Sequence, residues 1–586
     1  MFEAEQIAVE KQIRTFFAQG GLSDFPLQWN SIPFSGQWGI TTSFFQAAAQ
    51  EARQGKKVSV PQRAQELAEQ ARDFLGQPAG FERVEAVKGY LNLFYSSAEY
   101  ARRVIETVLE KAQDYGRGDP KEMQVMVEFS QPNTHKTFHV GHLRNVITGS
   151  AVSNILEFAG YTVVRANYIG DIGLHVMKWM WNYMKHHSGE QPAGDLQRWM
   201  GDLYTEADRR FSDEPGFELE VRQLFARWDG HDPDLIALWK KTREWSLEGF
   251  AQIYDTLGVN FDRFYFESEE EEPGKELVNQ LIERHLAEDE RPDGPVIIRL
   301  DEILGNQADK YRVLVILRSD GTSLYSTKDL ALAIRKFKEF PLSRSIYVID
   351  VRQSLYMQQI FKTLELMGYA WAKDLYHLAY EIVNLPGNVT MSSREGTVVL
   401  LDDLIREACS RALEIVREKN PELDPAAQEA VARAVGIGAI KYPMLSRDNT
   451  KITTFDWQTA LDFNGQAAPY IQYAHVRANS ILRKAGGSLP PADESLGQLE
   501  PAEIALVDLI ARLPRDIQRA AATYRPLDIA TLAYDLARAF NDFYNQCPVL
   551  LAEPAQRNFR LRLVASARQA LANSLALLGI AAPAAM

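Results

Sequence analysis

His139-Val140-Gly141-His142 lie where a predicted strand is followed by a predicted helix. The apolar segment 123–129 predicts the strand, and apolar residues at helical spacing predict a helix over 143–158. Gly160 would end this helix, and the segment 162–167 has the composition of a second strand. The order strand, helix, strand predicts a β-α-β unit with two parallel strands.

The start of this helix is a predicted binding site for phosphate groups. Free backbone N–H groups and the helix dipole favour an anion there. Gly141 allows a ligand to approach the backbone closely, and the rings of His139 and His142 can donate hydrogen bonds to phosphoryl oxygens. Four residues of this kind also occur by chance, so two histidines in a helix-capping loop are an open alternative at this point.

A second polar segment lies far along the chain. Thr390-Met391-Ser392-Ser393-Arg394-Glu395-Gly396 precedes the apolar run 397–401. The two segments resemble the HIGH and KMSKS motifs of class I aminoacyl-tRNA synthetases, which together hold ATP while an amino acid is activated. The resemblance implies catalytic roles for His139, His142 and Arg394. It implies that ATP is bound by these three residues and by Gly141, Met391, Ser392 and Ser393.

The segments around the two motifs resemble arginyl-tRNA synthetases. They follow the order of that family and comprise 128–133, 139–145, 167–171, 320–329, 350–353, 469–475 and 577–580. The resemblance implies an arginine–tRNA ligase, which activates L-arginine with ATP, releases pyrophosphate and transfers the arginyl group to the 3′-terminal adenosine of tRNA(Arg) in protein synthesis. It also implies that magnesium accompanies ATP and that activation requires bound tRNA.

The expected fold is multidomain α/β. It comprises a Rossmann-type parallel-sheet catalytic domain with a helical insertion, a small N-terminal α+β domain and a C-terminal all-α anticodon-binding bundle. We predict the N-terminal domain at 1–105, the catalytic domain at 115–440 with its insertion at about 180–260, and the bundle at 441–586. The resemblance implies that the N-terminal domain binds the elbow of the tRNA.

Three further strand-like segments follow the predicted insertion, at 296–300, 313–317 and 346–350. Because helical segments alternate with them, we expect all three strands in the parallel sheet. The acidic run 267–272 is expected to be a solvated loop or helix start. Only helices are expected after Pro425.

The net charge of −14 argues against a general nucleic-acid binder. The charge is uneven, because 15 Lys and Arg against 13 Asp and Glu from Lys441 onward give +2, which leaves −16 for the first 440 residues. A local RNA-binding surface in the C-terminal part is therefore possible. A neutral helical domain without an RNA role is an equally open interpretation.

No uninterrupted apolar stretch of about 18 residues is present, and the N-terminal residues do not resemble a signal peptide. We therefore expect a cytoplasmic protein that does not bind membranes. Two cysteines, Cys409 and Cys547, are too few for a zinc cluster and are expected to be small apolar fillers. We expect a monomer with no protein-bound metal, no prosthetic group and no DNA partner.

The second motif departs from the family pattern. Thr390 and Ser393 replace the two lysines, and Glu395 replaces a residue that is commonly basic, so Arg394 is the only cation of the loop. Its planar guanidinium can bind phosphoryl oxygens through two hydrogen bonds. We hypothesise that Lys136, just before the first motif, supplies catalytic charge to the same phosphates. The alternatives are that Lys136 is a solvated loop residue, or that the chain has lost activity.

The arginine pocket must bind a guanidinium, an ammonium and one carboxylate, so acidic residues are expected in it. Tyr325 and Asp329 would share a face of a helix that begins near Ser326. The resemblance assigns both to the guanidinium side and places Gln353 near the amino acid. It matches Glu128 and Asn133 to positions that hold the backbone or side chain of arginine. For Glu128, a role as a structural salt-bridge partner is equally open. Tyr356 occupies a position where histidine is common.

Candidates for tRNA binding lie in a predicted helix of the C-terminal bundle. They are Tyr470, Gln472, Tyr473 and His475. Aromatic, amide and imidazole groups suit stacking on unpaired bases and hydrogen bonding to their edges. An aromatic stripe on a helix is also typical of a protein core, so both interpretations are open.

Three other functions are compatible with part of this pattern. A nucleotidylyltransferase shares the first motif but would not need a C-terminal tRNA-binding bundle. A class I synthetase for another amino acid would lack the proposed arginine pocket. A tRNA-binding relative without catalytic activity is favoured only by the weakened second motif.

Overall fold

The computed structural model describes the chain except for residues 1, 23–25, 33–35, 56–57, 193, 214–215, 306–310, 386–388, 391–399 and 493–497. Among the described residues, every helix is too short or too polar to span a lipid bilayer.

The N-terminal part is a four-stranded antiparallel sheet with helices packed on it. Its strands are β1 (Asn30–Ser31), β2 (Gly39–Ser43), β3 (Arg83–Val87) and β4 (Tyr90–Phe94), in the order β1-β2-β4-β3. Its helices are α1 (Glu3–Gln19), α2 (Phe45–Arg53), α3 (Val60–Leu75) and α4 (Ser97–Lys111). Lys88 and Gly89 both have positive φ, which suits the two-residue turn between β3 and β4. The small α+β domain expected from the sequence is present.

The central sheet has five parallel strands. They are β5 (Gln124–Glu128), β6 (Thr162–Ile169), β7 (Arg263–Phe266), β11 (Leu342–Asp350) and β12 (Leu375–Tyr380), in the order β12-β11-β5-β6-β7. Helix α5 (Val140–Phe158) joins β5 to β6, so the predicted β-α-β unit is confirmed. Because all five strands are parallel, their carboxyl ends lie at one edge, where open α/β sheets bind ligands.

The helical insertion lies between β6 and β7. It consists of α6 (Leu174–His186), α7 (Leu196–Asp213), α8 (Phe217–Asp229) and α9 (Pro233–Leu257). Asp232 caps α9 by accepting hydrogen bonds from the N–H groups of Asp234 and Leu235. Buried Trp179, Trp228 and Trp239 form part of the insertion's own core.

Two of the three later strands do not join the parallel sheet. β9 (Val296–Ile298) and β10 (Leu314–Leu317) form a separate antiparallel sheet with β8 (Glu288–Asp289), and only the segment 346–350 enters the central sheet, as part of β11. The expectation for 296–300 and 313–317 is therefore wrong. Parallel neighbours need a long crossover, whereas the described residues between β9 and β10 contain only the four-residue helix α11 (Leu300–Ile303). Helices α10 (Glu271–Glu283), α12 (Tyr325–Glu339) and α13 (Ser354–Leu366) complete this region.

The acidic run 267–272 leads into the start of α10, as one of the two expectations has it, but three of its carboxylates are buried, so the expectation that the run is solvated is wrong. Glu267, Glu270 and Glu271 have exposed fractions of 4%, 1% and 9%. Lys328 of α12 lies 2.8 Å from Glu267 and 3.1 Å from Glu271, and Arg335 lies 2.7 Å from Glu270. These ion pairs offset the cost of burying the carboxylates.

The last part of the chain is helical apart from a small sheet. This sheet contains β13 (Val383–Leu385), β14 (Val389–Thr390) and β15 (Thr453–Thr454). The helices are α14 (Leu401–Lys419), α15 (Pro425–Leu445), α16 (Trp457–Ala460), α17 (Ala468–Lys484), α18 (Pro501–Thr523), α19 (Pro526–Gln546) and α20 (Pro554–Leu577). The last four pack together as the expected bundle. The two-residue strand β15 departs from the expectation that only helices follow Pro425.

Candidate active site

The two histidines of the first motif cap helix α5. His139 is the N-cap residue, and its Nδ1 accepts a hydrogen bond from the N–H of Gly141 at 3.1 Å. The Nδ1 of His142 accepts one from the N–H of His139 at 3.3 Å. The helix start would otherwise leave these N–H groups unpaired. A capping role is thus present, but it uses only one nitrogen of each ring.

The second nitrogen of each ring is available to a ligand. Burial and the charge of Lys136 lower the pKa of His139 to about 4. Burial, His139 and Lys136 lower the pKa of His142 well below its usual value. Both rings are therefore neutral near pH 7, and because each Nδ1 accepts, the proton is on Nε2. Two Nε2–H donors thus lie at the start of a helix, where an anion is favoured.

Lys136 lies beside these histidines and is half-buried. Its Nζ is 5.4 Å from the centre of the Tyr204 ring on α7. Burial lowers the pKa of Lys136, Asp208 raises it and Lys178 lowers it further. A lysine held against an aromatic ring next to the first motif is not a freely solvated loop residue. Its position fits the hypothesis, and its part in the reaction stays a prediction.

The second motif falls outside the described residues, because Met391, Ser392, Ser393 and Arg394 lie within 391–399. The chain on either side of this segment is anchored. Before it, β14 pairs antiparallel with β13. After it, Leu400 forms a β-bridge with His139, and the N–H of Leu401 donates to the carbonyl of Phe138 at 3.1 Å. The described chain thus resumes directly beside the first motif.

Asp329 lies among acidic side chains, because the charges of Glu128, at the end of β5, and of Glu267 both act on it. It lies one turn after Tyr325 on α12, and its Oδ2 accepts a hydrogen bond from the hydroxyl of Tyr356. Burial raises the pKa of Asp329 to about 7, the Tyr356 bond lowers it and the charge of Glu128 raises it. The nearby Tyr168 hydroxyl is buried and has no hydrogen-bond partner among the described residues. A guanidinium would supply positive charge and N–H donors to these groups.

Glu128, at the end of β5, forms a buried ion pair whose partner, Lys336, sequence reasoning missed. Its Oε2 contacts the ammonium of Lys336 on α12, and its Oε1 accepts from the side-chain amide of Gln131 at 2.9 Å. Burial lowers the pKa of Lys336, but the charge and hydrogen bond of Glu128 together with the neighbouring Tyr347 and Tyr265 outweigh burial, so that pKa is raised. The interpretation of Glu128 as a salt-bridge partner is therefore correct. It does not exclude a contact with arginine, because carboxylate oxygens accept more than one hydrogen bond.

The other three pocket candidates are more exposed than Glu128. Asn133 is half-buried and forms a β-bridge with Gly170, where an added Cβ would meet the Asn133 Oδ1 at 2.3 Å. Tyr325 exposes 58% of its surface, and Gln353 is exposed in the turn after β11. Glycine at position 170 thus permits the close approach of the loop that carries Asn133.

Asp171 has a structural position. It is buried, accepts from the N–H and hydroxyl of Ser268 at 2.8 and 2.7 Å, and pairs with Arg243 at 3.0 Å. It therefore joins the end of β6 to the insertion. Among the described residues, no cluster of three or more His, Cys, Asp or Glu side chains is arranged to hold a metal ion.

Residues 104–457 match the family model described as the catalytic domain of class I tRNA synthetases (R), which covers more than half of the chain. The chain belongs to the arginyl-tRNA synthetase family. Residues 471–586 match the DALR anticodon binding domain.

Individual members of the arginyl-tRNA synthetase family are similar along most of their length. Arginine–tRNA ligase of Treponema denticola is 35% identical over 504 residues, which cover 84% of each chain. That of Clostridium botulinum is 36% identical and covers 88% of this chain and 89% of its own. The solved arginyl-tRNA synthetase of Thermus thermophilus superposes with a TM-score of 0.76 at 29% identity and covers 99% of both chains.

Two of the four predicted tRNA-binding residues use their polar groups in hydrogen bonds within the protein. Gln472 is fully buried and donates to the carbonyls of Ala434 and Ala581 at 3.1 and 2.8 Å. The Nδ1 of His475, which is 7% exposed, bonds the carbonyl of Pro583 at 2.9 Å. Neither offers these groups to an RNA base, because they join α17 to the last residues of the chain.

Tyr473 and Tyr470 lie closer to the surface of the same helix, and Tyr473 is 36% exposed. The Arg477 guanidinium lies 4.9 Å from the ring centres of both Tyr473 and Tyr544. Tyr544, on α19, was missed because nothing in its own segment distinguishes it from other exposed aromatic residues. Only packing of α19 against α17 brings it to Arg477.

Proposed function

We propose that this arginyl-tRNA synthetase activates L-arginine at the carboxyl edge of its parallel sheet and transfers it to tRNA(Arg). An oxygen of the arginine carboxylate attacks the α-phosphorus of ATP, the bond to the pyrophosphate oxygen breaks, and arginyl-adenylate forms. A hydroxyl of the terminal adenosine then attacks the acyl carbon and AMP leaves. The observation that carries the proposal is the histidine pair, because two neutral Nε2–H donors are held at a helix start.

The protein's part in the first step is to position ATP and to stabilise developing negative charge. His139 and His142 donate to phosphoryl oxygens, and Gly141 permits close approach of the nucleotide. Lys136 supplies a cation from the preceding loop, and Arg394 with Met391, Ser392 and Ser393 completes the ATP site. No protein nucleophile is needed, since the carboxylate of arginine attacks directly. We propose that Mg²⁺ arrives with ATP as part of the substrate.

The arginine side chain enters the Asp329 pocket. Asp329 accepts from the guanidinium when it is ionised, and Tyr325 lies one turn away at the exposed rim. Glu128 and Asn133 line the side nearer to ATP, and Gln353 approaches from the turn after β11. The charged partners Lys328 and Lys336 are already paired with Glu267 and Glu128, which keeps these cations from repelling the substrate.

The tRNA contacts the parts of the chain on either side of the catalytic region. We assign the elbow to residues 1–105 and the anticodon to residues 441–586, with the catalytic region at 115–440 between them. Tyr473, Arg477 and Tyr544 offer a stacking surface for unpaired bases, and Tyr470 flanks it. We further propose that the protein acts as a monomer, and in the cytoplasm, where its tRNA substrate is used.

Pyrophosphate exchange into ATP tests this proposal. Exchange should require both L-arginine and tRNA(Arg), and lysine should not replace arginine. Binding of tRNA(Arg) without any exchange would instead favour a tRNA-binding protein without catalytic activity. Exchange with lysine would show that the Asp329 pocket does not select a guanidinium.

A further inference from the structure

Arg144 lies two residues after His142 on α5 and is fully buried. Its guanidinium donates to four backbone carbonyls from two distant segments, of which the bond to Ile382 is the longest at 3.5 Å. Nη1 donates to Glu381 at 2.5 Å and to Lys451 at 2.8 Å, and Nη2 donates to Asp448 at 3.1 Å. A single side chain therefore links the helix of the first motif to both segments.

These two segments lead into the small sheet β13-β14-β15. Glu381 stands just before β13, which pairs antiparallel with β14, and Lys451 stands just before β15, which pairs parallel with β13. The segments also bond to each other, because the N–H of Glu381 donates to the carbonyl of Asn449 at 2.8 Å. β14 pairs with β13 and ends directly before residue 391. Arg144 therefore links helix α5 to the small sheet from which the chain enters the second motif.

We propose that Arg144 is a positioning residue for the ATP half of the site. It holds the small sheet against α5, so that the segment entering the second motif and the Nε2–H donors of His139 and His142 keep one relative arrangement. Arg144 does not touch the substrate and acts through the backbone of its acceptors. This inference rests on the proposed function.

The chemistry of the side chain suits this task. Burial lowers the pKa of Arg144 to about 10, so it is still a cation near pH 7. A guanidinium presents five N–H groups in a rigid plane and can reach two segments at once, whereas a lysine ammonium is a compact charge. Charge alone is therefore not enough for the link.

The experiment compares Arg144→Lys with the wild type in arginine- and tRNA-dependent pyrophosphate exchange. The KM for ATP should rise about 10- to 100-fold, as expected for the loss of one or more hydrogen bonds to a charged group. The KM for arginine should change less than about twofold, because Arg144 has no contact with the Asp329 pocket. An equal rise in both values, or an unchanged KM for ATP, would overturn the inference.

Arg560→Lys is the matched control. Arg560 is also buried and bonds to Glu503 and to the carbonyl of Pro548, but it lies in the C-terminal bundle. This variant should lose stability without raising the KM for ATP. A selective rise in that KM in the control would also overturn the inference, since any buried arginine would then have the same effect.

A second variant changes the acceptor side. The Asp448 carboxylate holds its own turn by accepting from the N–H and hydroxyl of Thr450 at 3.0 and 2.7 Å, near the surface. Asp448→Ala should loosen this turn and raise the KM for ATP in the same direction, even if Arg144→Lys fails to fold. An unchanged KM in Asp448→Ala together with an unfolded Arg144→Lys would overturn the inference. Absence of exchange in the wild type would refute the proposed function instead.

Discussion

Lys336 and Glu128 form an ion pair inside the protein, with 0% and 3% of their side chains exposed. Glu128 ends the central strand β5, and Lys336 lies on α12 two turns beyond Asp329. The ammonium also lies 4.3 Å from the ring centre of Tyr347, so its surroundings are aromatic as well as charged. The pair joins the sheet to the helix that carries the proposed guanidinium ligand.

Removing one partner of this pair should destabilise the fold. Lys336→Met leaves the Glu128 carboxylate buried without its cation, which should lower the free energy of unfolding by about 3–5 kcal/mol. Urea unfolding followed by circular dichroism measures the change. Lys362→Met is the control, because Lys362 pairs with an exposed Glu365 and should cost at most about 1 kcal/mol. Equal costs for the two variants would contradict the prediction, and Glu128→Gln combined with Lys336→Met should recover part of the loss.

Arginine binding should depend on pH near neutrality. The pKa of Asp329 is about 7, and only the ionised carboxylate accepts two hydrogen bonds from a guanidinium. The value of kcat/KM for arginine should therefore rise as pH increases through about 7, and it should fall at lower pH as Asp329 takes up a proton. A profile that is flat between about pH 6 and 8 would be inconsistent with this role.

Tyr356→Phe extends the same test. The Tyr356 hydroxyl lowers the pKa of Asp329 by donating to it, so its removal should move the midpoint of the profile to higher pH. A shift to lower pH would show that another group controls the titration.

The two nitrogens of His139 should be separable by substitution. Asparagine is a good N-cap residue, so His139→Asn should keep the unfolding free energy within about 1 kcal/mol of the wild type. It lacks the Nε2–H donor, so the turnover of pyrophosphate exchange should fall about 10²- to 10³-fold. His139→Ala should show the same fall in turnover. Its free energy of unfolding should be lower by about a further 1 kcal/mol, because alanine does not cap the helix. Near-normal turnover in either variant would restrict His139 to capping.

Lys136→Ala should lower the turnover of adenylation by about two orders of magnitude, because a cation near the phosphates is lost while the fold is kept. Exchange kinetics and thermal unfolding are measured together. Lys241→Ala is a suitable control, since Lys241 also lies over an aromatic ring, 5.2 Å from the centre of Trp245, but is exposed on the insertion. A nearly unchanged turnover in Lys136→Ala would show that Lys136 does not compensate for the lysines that are absent from the second motif.

Local patterns in the sequence predict the part of the fold that local forces determine. The first β-α-β unit follows from the apolar spacing of one continuous segment, and the helical insertion follows from the helical character of the chain over about 180–260. The antiparallel sheet β8-β9-β10 was misassigned because a short apolar run looks the same in either kind of sheet. Its orientation depends on the connection between β9 and β10, and not on the strands themselves.

Site residues within a continuous motif can be predicted from the sequence, whereas those that depend on contacts between distant segments cannot. His139 and His142 are recognisable because their motif is continuous, and the helix start explains why both are there. Lys336 could not be found from local sequence, because its partner Glu128 is 208 residues away. The burial of Glu267 likewise depends on Lys328, which is 61 residues later. Gln472 looked suitable for RNA because sequence does not show that its amide is used by the carbonyls of Ala434 and Ala581.

The capping bonds of His139 and His142 have a consequence for ligand binding. A side chain that moves freely before it binds a ligand loses rotational freedom on binding, at a cost of about 0.5–1.5 kcal/mol. Both imidazoles are already fixed through Nδ1 once α5 has formed. These two donors therefore lose their rotational entropy when the helix folds. Nucleotide binding finds both rings already oriented and does not incur this entropic cost again.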